Sequence, residues 1–261
     1  MKYVILIIFS LQVVLLAESL EGVTMSSADV SATFTIQALI IGLKVKEGDI
    51  VKKGDLLAMQ DREIQQRELD RIKKEATAGV LIDKANLEIK FFEKDVALLV
   101  EAVGEGAASV KELNDSKLRL ETAKLNKKEA EFSQLIARYR VKELESILKQ
   151  YELRSPINGV IEKIFVEAGE SSRVSEEHIR IVRTDPMWVE VPVPRNIALK
   201  LKRSGAAKVT FPDGSSSEEG KIIFISGVAD TASDTVRVKL EFTNPEHRVV
   251  GERVAVDFKL K

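Results

Sequence analysis

Ile41-Gly42-Leu43-Lys44-Val45-Lys46-Glu47-Gly48-Asp49-Ile50-Val51-Lys52-Lys53-Gly54-Asp55-Leu56-Leu57-Ala58 is the stretch on which the fold turns. Apolar and polar residues alternate from Ile41 to Lys46, the period of a strand with one buried face. Glu47-Gly48-Asp49 and Lys52-Lys53-Gly54-Asp55 supply turns, Ile50-Val51 continues the strand between them, and Leu56-Leu57-Ala58 resumes it. Past residue 150 the same plan returns. Ser155-Pro156-Ile157-Asn158-Gly159 turns, Val160 to Val166 alternates again, and Glu167-Ala168-Gly169-Glu170 turns. Neither half could bury a core alone, so together they predict one small β-domain, over 35–60 and 151–184, with a long segment inserted into it.

The insert, 61–150, has a different chemistry. It contains no proline, although the chain has six, and it carries 18 acidic and 18 basic side chains. Opposite charges four apart, such as Glu63 with Arg67, Asp70 with Lys74 and Glu145 with Lys149, support a solvated helix. Gly104-Glu105-Gly106-Ala107-Ala108 interrupts the run, and two glycines within three residues suit a helix end and a reversal. Ser109 with Glu112 then forms a capping-box pattern. The expectation is an antiparallel pair of helices of some 40 residues, each about 60 Å long. In the second helix Leu118, Leu125, Phe132 and Tyr139 recur every seven residues, as do Ala123, Ala130, Ala137 and Leu144, roughly 140° away around the axis. One series can face the partner helix. The other either widens the same face or packs on a neighbouring subunit. The first helix shows eleven-residue spacings instead, Leu69, Val80, Phe91 and Ala102 beside Ala76, Leu87 and Leu98.

Beyond Asp185-Pro186, short apolar runs predict strands at Met187–Val193, Ala207–Phe211, Gly220–Ile225, Thr235–Phe242 and Arg253–Leu260, with a helical patch over Asn196–Arg203. Five such strands fit a small closed barrel over 185–261, with Trp188 as a core residue. At the other end, Lys2 precedes an apolar run from Tyr3 to Ala17, and Ala17 is followed by Glu18. A run of this length reaches about 22 Å against a hydrocarbon core of ~30 Å, so 1–17 reads as a signal peptide rather than an anchor, with a mature start near Glu18. Residues 18–34 are expected as a linker, with at most one barrel strand. The class is α+β, elongated and modular.

Composition narrows the function. Among 261 residues, 40 Lys+Arg against 41 Asp+Glu give a net charge of −1, without the basic excess of a nucleic-acid binder. No cysteine is present, which removes disulfides, thiol nucleophiles and Cys-ligated metals. Only His178 and His247 remain for imidazole chemistry. The carboxylate pairs Glu47 and Asp49, and Glu176 and Glu177, have no nucleophile or oxyanion donor beside them in the sequence, so turn and surface roles are expected. No enzyme, cofactor or metal site is expected.

Val45-Lys46-Glu47-Gly48-Asp49-x-Val51-Lys52-Lys53-Gly54-Asp55-x-Leu57-Ala58 resembles the first half of a biotinyl/lipoyl-like domain. Leu153-Arg154-Ser155-Pro156-Ile157-Asn158-Gly159-Val160-Ile161 resembles its second half as found in periplasmic adaptor subunits, the membrane fusion proteins of tripartite efflux and secretion systems. The segments Trp188–Val191, Phe211–Gly214, Asp234–Val238 and Gly251–Val254 are similar to that family's β-barrel. The resemblance implies a lipoyl-like β-domain interrupted by a coiled-coil hairpin and followed by a small β-barrel. It also implies a periplasmic adaptor held at the inner membrane by its transporter, in a homo-oligomeric ring, with a hexamer suggested, that reaches an outer-membrane exit duct. A resistance-nodulation-division transporter is the expected partner, with an ABC-type exporter as the alternative. The hairpin tip, Val103, Gly104, Glu105, Gly106, Ala107, Ala108, Ser109 and Val110, is the implied partner contact. The family's Arg, Leu and Ser tip pattern is matched only by Lys94, Leu98 and Glu105, so those contacts are not carried over. A lipoyl or biotinyl carrier is the rival of a different class. Such carriers hold a modified lysine in the turn between the half-motifs, where this chain has Met59-Gln60-Asp61 and then the helices.

Overall fold

The computed structural model describes residues 19–214 and 220–259; the expected signal peptide at 1–17 lies outside them. Eleven strands and four helices follow one another among these residues: β1 Leu20–Ala32, β2 Ile40–Leu43, β3 Ile50–Val51, β4 Leu56–Gln60, α1 Glu63–Thr77, α2 Val80–Gly104, α3 Val110–Lys149, β5 Glu152–Arg154, β6 Gly159–Ile164, β7 Ile179–Pro194, α4 Arg195–Ala198, β8 Ala206–Thr210, β9 Gly220–Asp230, β10 Thr235–Phe242 and β11 Arg253–Phe258.

The two half-motifs interlock. Asp49 and Asp55 close equivalent turns by accepting the N–H groups of Lys46 and Lys52 at 2.8 Å, each across a glycine at φ near 90° (Gly48 and Gly54). Each turn then pairs with the other half: Gly48 N–H donates to Ile161 O, and Gly54 N–H to Ser155 O, both at 2.8 Å. One layer is β2-β4-β5; the other is β3, β6 and the first part of β7 beside β1. Between them lie Phe34, Ile40, Leu57, Ala58, Leu153, Ile161, Ile179 and Ile181, all essentially without solvent contact. Neither half contributes more than part of this core, which is why both must be present for it to form.

The barrel is a closed ring, β1-β11-β8-β9-β10-β7 and back to β1. Five of its strands were expected. The sixth is β1, the one barrel strand that the reading of 18–34 left room for: residues 20–32 are strand throughout. A ring needs every edge paired, and β1 fills the gap between β11 and β7. The expected boundary at 185 also falls inside a strand, because β7 runs unbroken from the first β-domain into the barrel. β1 accompanies it, shifting register once between Ser26 and Ala28. Along β7 the period of two turns Met187, Val189, Val191 and Val193 inward, so Trp188 lies on the outer face and not in the core as expected. There its indole N–H donates to Glu241 at 3.1 Å and the Lys239 ammonium sits 5.2 Å over its ring.

Candidate functional site: the helical hairpin and its base

The hairpin grows out of the join between the two half-motifs. β4 and β5 pair at its base, and Gln60 N–H donates to Tyr151 O at 2.9 Å, so the two helical arms start side by side. Arg62, just before α1, and Arg154, after α3, converge on opposite oxygens of Glu152. Burial pushes the Glu152 carboxyl up, but the hydrogen bonds and charges of Arg154 and Arg62 outweigh it and hold the pKa below the usual range.

Beneath this clamp lies a buried polar group of side chains. Gln60 donates to Ile36 O at 3.0 Å and to Ser172 Oγ, while Ser172 Oγ in turn takes the N–H of Ala38. These bonds hold the connection between β1 and β2 against the hairpin base. In the same connection Phe34 N–H donates to Nδ1 of His178, whose ring is fully buried and whose Nε2 has no partner. Desolvation therefore depresses the His178 pKa, Glu176 opposing it. His247 sits far off in the turn after β10. Of the carboxylate pairs, Asp49 closes its turn, Glu47 accepts Ile164 N–H, and Glu176 pairs with Arg173. They serve separate local structures and do not converge.

The first arm is not one helix of 40 residues, as expected, but two. Ala78 is extended (ψ 113°) and breaks α1 from α2. Seam positions explain where. Leu69, Ile72 and Ala76 face α3 below the break; above it Ile82, Ala85, Ile89, Phe92, Val96, Leu99 and Val103 do so at alternating three and four spacing. From Ala76 to Ile82 is one residue short of a heptad, a phase step that a continuous helix meets only by overwinding. The break at Ala78 relieves it. This heptad seam replaces the eleven-residue spacing read from the sequence.

α3 runs unbroken past both. Its seam keeps heptad spacing over Leu113, Ser116, Leu120, Ala123, Lys127, Ala130, Gln134, Ala137, Val141, Leu144 and Leu148, all buried or half-buried. Below the break it is a packed core, with Leu144 and Leu148 against Leu69 and Ile72 and an ion pair Lys73–Glu145 at 2.8 Å across the arms. Above the break α3 offers mostly small or polar residues, and Ser116 Oγ donates to Asp95 at 2.6 Å to set the register. A second set of large residues points away. Leu118, Leu125, Phe132 and Tyr139 are 68%, 62%, 62% and 58% exposed, and on α2 Leu87, Phe91 and Leu98 are 70%, 64% and 67% exposed. The alanine series faces the partner helix, so the leucine and aromatic series is a second, uncovered face. Being outermost on two antiparallel helices, the two stripes lie on opposite edges of the hairpin.

At the tip, α2 ends in a Schellman motif: Ala107 N–H reaches Ala102 O at 2.7 Å and Gly106 N–H reaches Val103 O at 3.1 Å. Only Gly106, at φ 75°, needs to be glycine for the turn; Gly104 is the last helical residue. Ser109 caps α3 through the expected box, Glu112 N–H donating to Ser109 Oγ at 3.2 Å and Ser109 N–H to Glu112 at 2.8 Å. The backbone hydrogen bond from Ser109 holds the Glu112 carboxyl below its ordinary value. Val103 and Ala108 are half-buried in the seam, while Gly104, Glu105, Gly106, Ala107, Ser109 and Val110 are exposed. Sequence reading placed the tip; it did not separate the inner from the outer stripe on α2, because both are apolar.

Among the described residues no helix is long and apolar enough to cross a membrane, and no group of three His, Asp or Glu could hold a metal ion. Residues 186–256 match the family model described as CusB-like, beta-barrel domain. The chain is 30% identical over 222 residues to the nodulation protein NolF of Rhizobium meliloti (strain 1021), covering 84% of this chain and 56% of that protein. It is 22% identical over 253 residues to the multidrug resistance protein MdtA of Photorhabdus laumondii, covering 90% and 59%. The chain thus spans little more than half the length of these relatives. Among solved structures, MacA from Actinobacillus actinomycetemcomitans superposes with a TM-score of 0.78 at 23% identity, over 93% of this chain and 78% of that one.

Proposed function

The chain belongs to the membrane fusion protein family of adaptors, and from that premise we propose that it is a periplasmic adaptor for efflux or secretion, working as a ring that bridges an inner-membrane transporter and an outer-membrane exit duct. The observation that carries this reading is the pair of apolar stripes on opposite edges of the hairpin. A solvated two-helix hairpin keeps its large residues in the seam; this one turns three on α2 and four on α3 outward. Two different patches on opposite edges make a heterologous contact, which closes into a ring when repeated about an axis. The register set by Asp95 and Ser116 brings Leu87 and Leu125 to nearly the same height, so α2 of one copy can meet α3 of the next.

The hairpin then becomes a wall segment about 60 Å long, presenting Val103 to Val110 as a rim of small and apolar residues to the duct. For the transporter, the match of 186–256 to a resistance-nodulation-division barrel model favours that type; an ABC-type exporter is the alternative, and identification of the transporter that co-purifies from crosslinked membranes discriminates the two. The chain acts by bridging, without catalysis or a cofactor. A swinging-arm carrier fits poorly, since the turn that would carry its lysine is replaced by the hairpin.

Absence of native cysteine gives a clean test. The double variant Leu87→Cys with Leu125→Cys should form a disulfide ladder that ends at the ring size, whereas either single variant should form none, because a head-to-tail contact never places a residue opposite its own copy. Dimers from a single variant would replace the ring with a two-fold pair. At the rim, Val110→Glu puts a carboxylate in the first turn of α3, where the helix dipole tolerates it. Export should fall while melting is unchanged.

A further inference from the structure

The first β-domain treats the two edges of its hairpin-bearing sheet, β2-β4-β5, differently. The outer side of β2 is covered by the chain itself: Ile40 N–H donates to Glu170 O and Gly169 N–H to Ile40 O, both at 2.8 Å, and Leu39 bridges Ser171. β5 has no such cover and pairs with β4 alone. Tyr151 and Ser155, on either side of it, turn their backbone bonds towards Gln60, Gly54 and Asp55. By strand alternation the N–H and C=O groups of Glu152 and Arg154 point the other way, out of the sheet. An open edge of this kind is a template for a second chain.

The two edges also differ in charge. Beside β5, Glu152 is matched by Arg62 and Arg154. The Lys52-Lys53 turn is held against the end of the same strand, with Gly54 N–H on Ser155 O and Lys53 N–H on Asn158 Oδ1, each at 2.8 Å. Asp55 closes that turn. Both lysines are exposed, and neither forms an ion pair among the described residues. On the far side the segment that covers β2 carries Glu167 and Glu170, exposed and likewise without an ion pair among the described residues. Glu170 only closes its own turn, accepting Glu167 N–H at 2.9 Å. β5 is three residues long, about 10 Å, so a segment laid along it meets the lysine turn as well.

The direction of the sheet decides what lies along it. α1 leaves β4 and α3 enters β5, so the bare, basic edge is on the α3 side of the hairpin root and the covered, acidic edge on the α1 side. Copies set side by side in the head-to-tail sense of the hairpin stripes bring one edge against the other, opposite charges facing.

We propose that the Glu167–Glu170 turn of one copy docks on the open β5 edge of the next, its two carboxylates on Lys52 and Lys53. This second contact rests on the ring reading, which the Leu87, Leu125 disulfide ladder tests separately. The full chain, half of it labelled with heavy nitrogen, is assembled and treated with a carbodiimide, which joins an amine to a carboxylate only where the two touch. Peptides linking Lys52 or Lys53 to Glu167 or Glu170 should carry mixed labels, because within one chain the two edges stand about 14 Å apart, three strand spacings. Lys53→Glu should weaken assembly about fivefold, the scale of one exposed ion pair, and Glu167→Lys added to it should restore assembly. Circular dichroism confirms that each variant folds. A ladder without mixed-label peptides, or a double exchange that fails to rescue, overturns the contact and leaves the ring standing. Absence of both ladder and peptides overturns the contact together with the ring.

Discussion

The base of the hairpin and its outer two thirds are built from the same helix, α3, yet they bury opposite things. Below the break at Ala78 large residues face inward and charged ones outward, as in any self-sufficient pair of helices. Above it α3 turns alanines, Ser116 and two leucines, Leu113 and Leu120, inward, and Leu118, Leu125, Phe132 and Tyr139 outward. A buried methyl of alanine contributes a fraction of what a buried leucine does. The base is therefore stable by its own contacts, whereas the outer part becomes fully stable only when something covers it. The contrast assigns structure to the base and assembly to the remainder.

The sharpest way to break this contrast is to truncate one leucine on each side of it. Leu144→Ala, in the packed base, should cost ~3 kcal/mol, read as early loss of helical ellipticity in urea. Leu125→Ala in the isolated chain should stay within ~0.5 kcal/mol of wild type. Equal costs would mean the outer stripe belongs to the hairpin's own core.

Acid probes the base through His178. Its folded pKa is depressed below the ordinary 6.5 by burial, so above pH 6.5 neither state is protonated and stability is complete. Below that, the unfolded chain takes up a proton that the folded one refuses. Stability then falls by ~1.4 kcal/mol per pH unit until the folded value is reached. Protonated Nδ1 could no longer accept Phe34 N–H, so the first β-domain should soften before the outer helices do. His178→Gln should flatten the slope of the melting temperature between pH 6.5 and 5; an unaltered slope would place the acid response elsewhere.

Ser109→Ala removes the cap of α3 and should cost ~1 kcal/mol, seen as faster amide exchange confined to the first turn. Loss of protection spreading to the base would show that the two parts unfold as one. The smallest expected effect is Phe132→Ser. Monomer melting should be unchanged within ~0.5 kcal/mol, while the disulfide ladder of the Leu87, Leu125 pair shortens.

Much of this was legible in the sequence, and what was not has a common cause. The hairpin, its tip and the box at Ser109 and Glu112 are local patterns, written within a few residues of one another. β1 is not. The residues it buries are small and often polar, Thr24 and Ser27 among them, so no apolar alternation marks it. Close packing requires this: a Cβ added at Gly22 would lie 2.7 Å from Val189 Cγ1. A strand that closes a ring must be thin, and thin residues carry little hydrophobic signal. The break at Ala78 was hidden for another reason, since a helix with apolar residues on two faces shows no single period. Trp188 was misassigned because strand phase, rather than size, decides which side chains enter a core. The outward stripe on α3 was visible as a period, but only the structure shows which of its two series the partner helix takes.

The place of β1 in the ring also governs when the protein can form. Its partners are β7 and, last in the chain, β11; Thr24 is hydrogen-bonded to Glu252, 228 positions away. β1 can pair with β7 early, but the ring closes only once β11 is made. Pairings of such long range fold slowly. A polypeptide whose barrel stays open until β11 arrives remains threadable, which is what a translocation channel requires of its cargo.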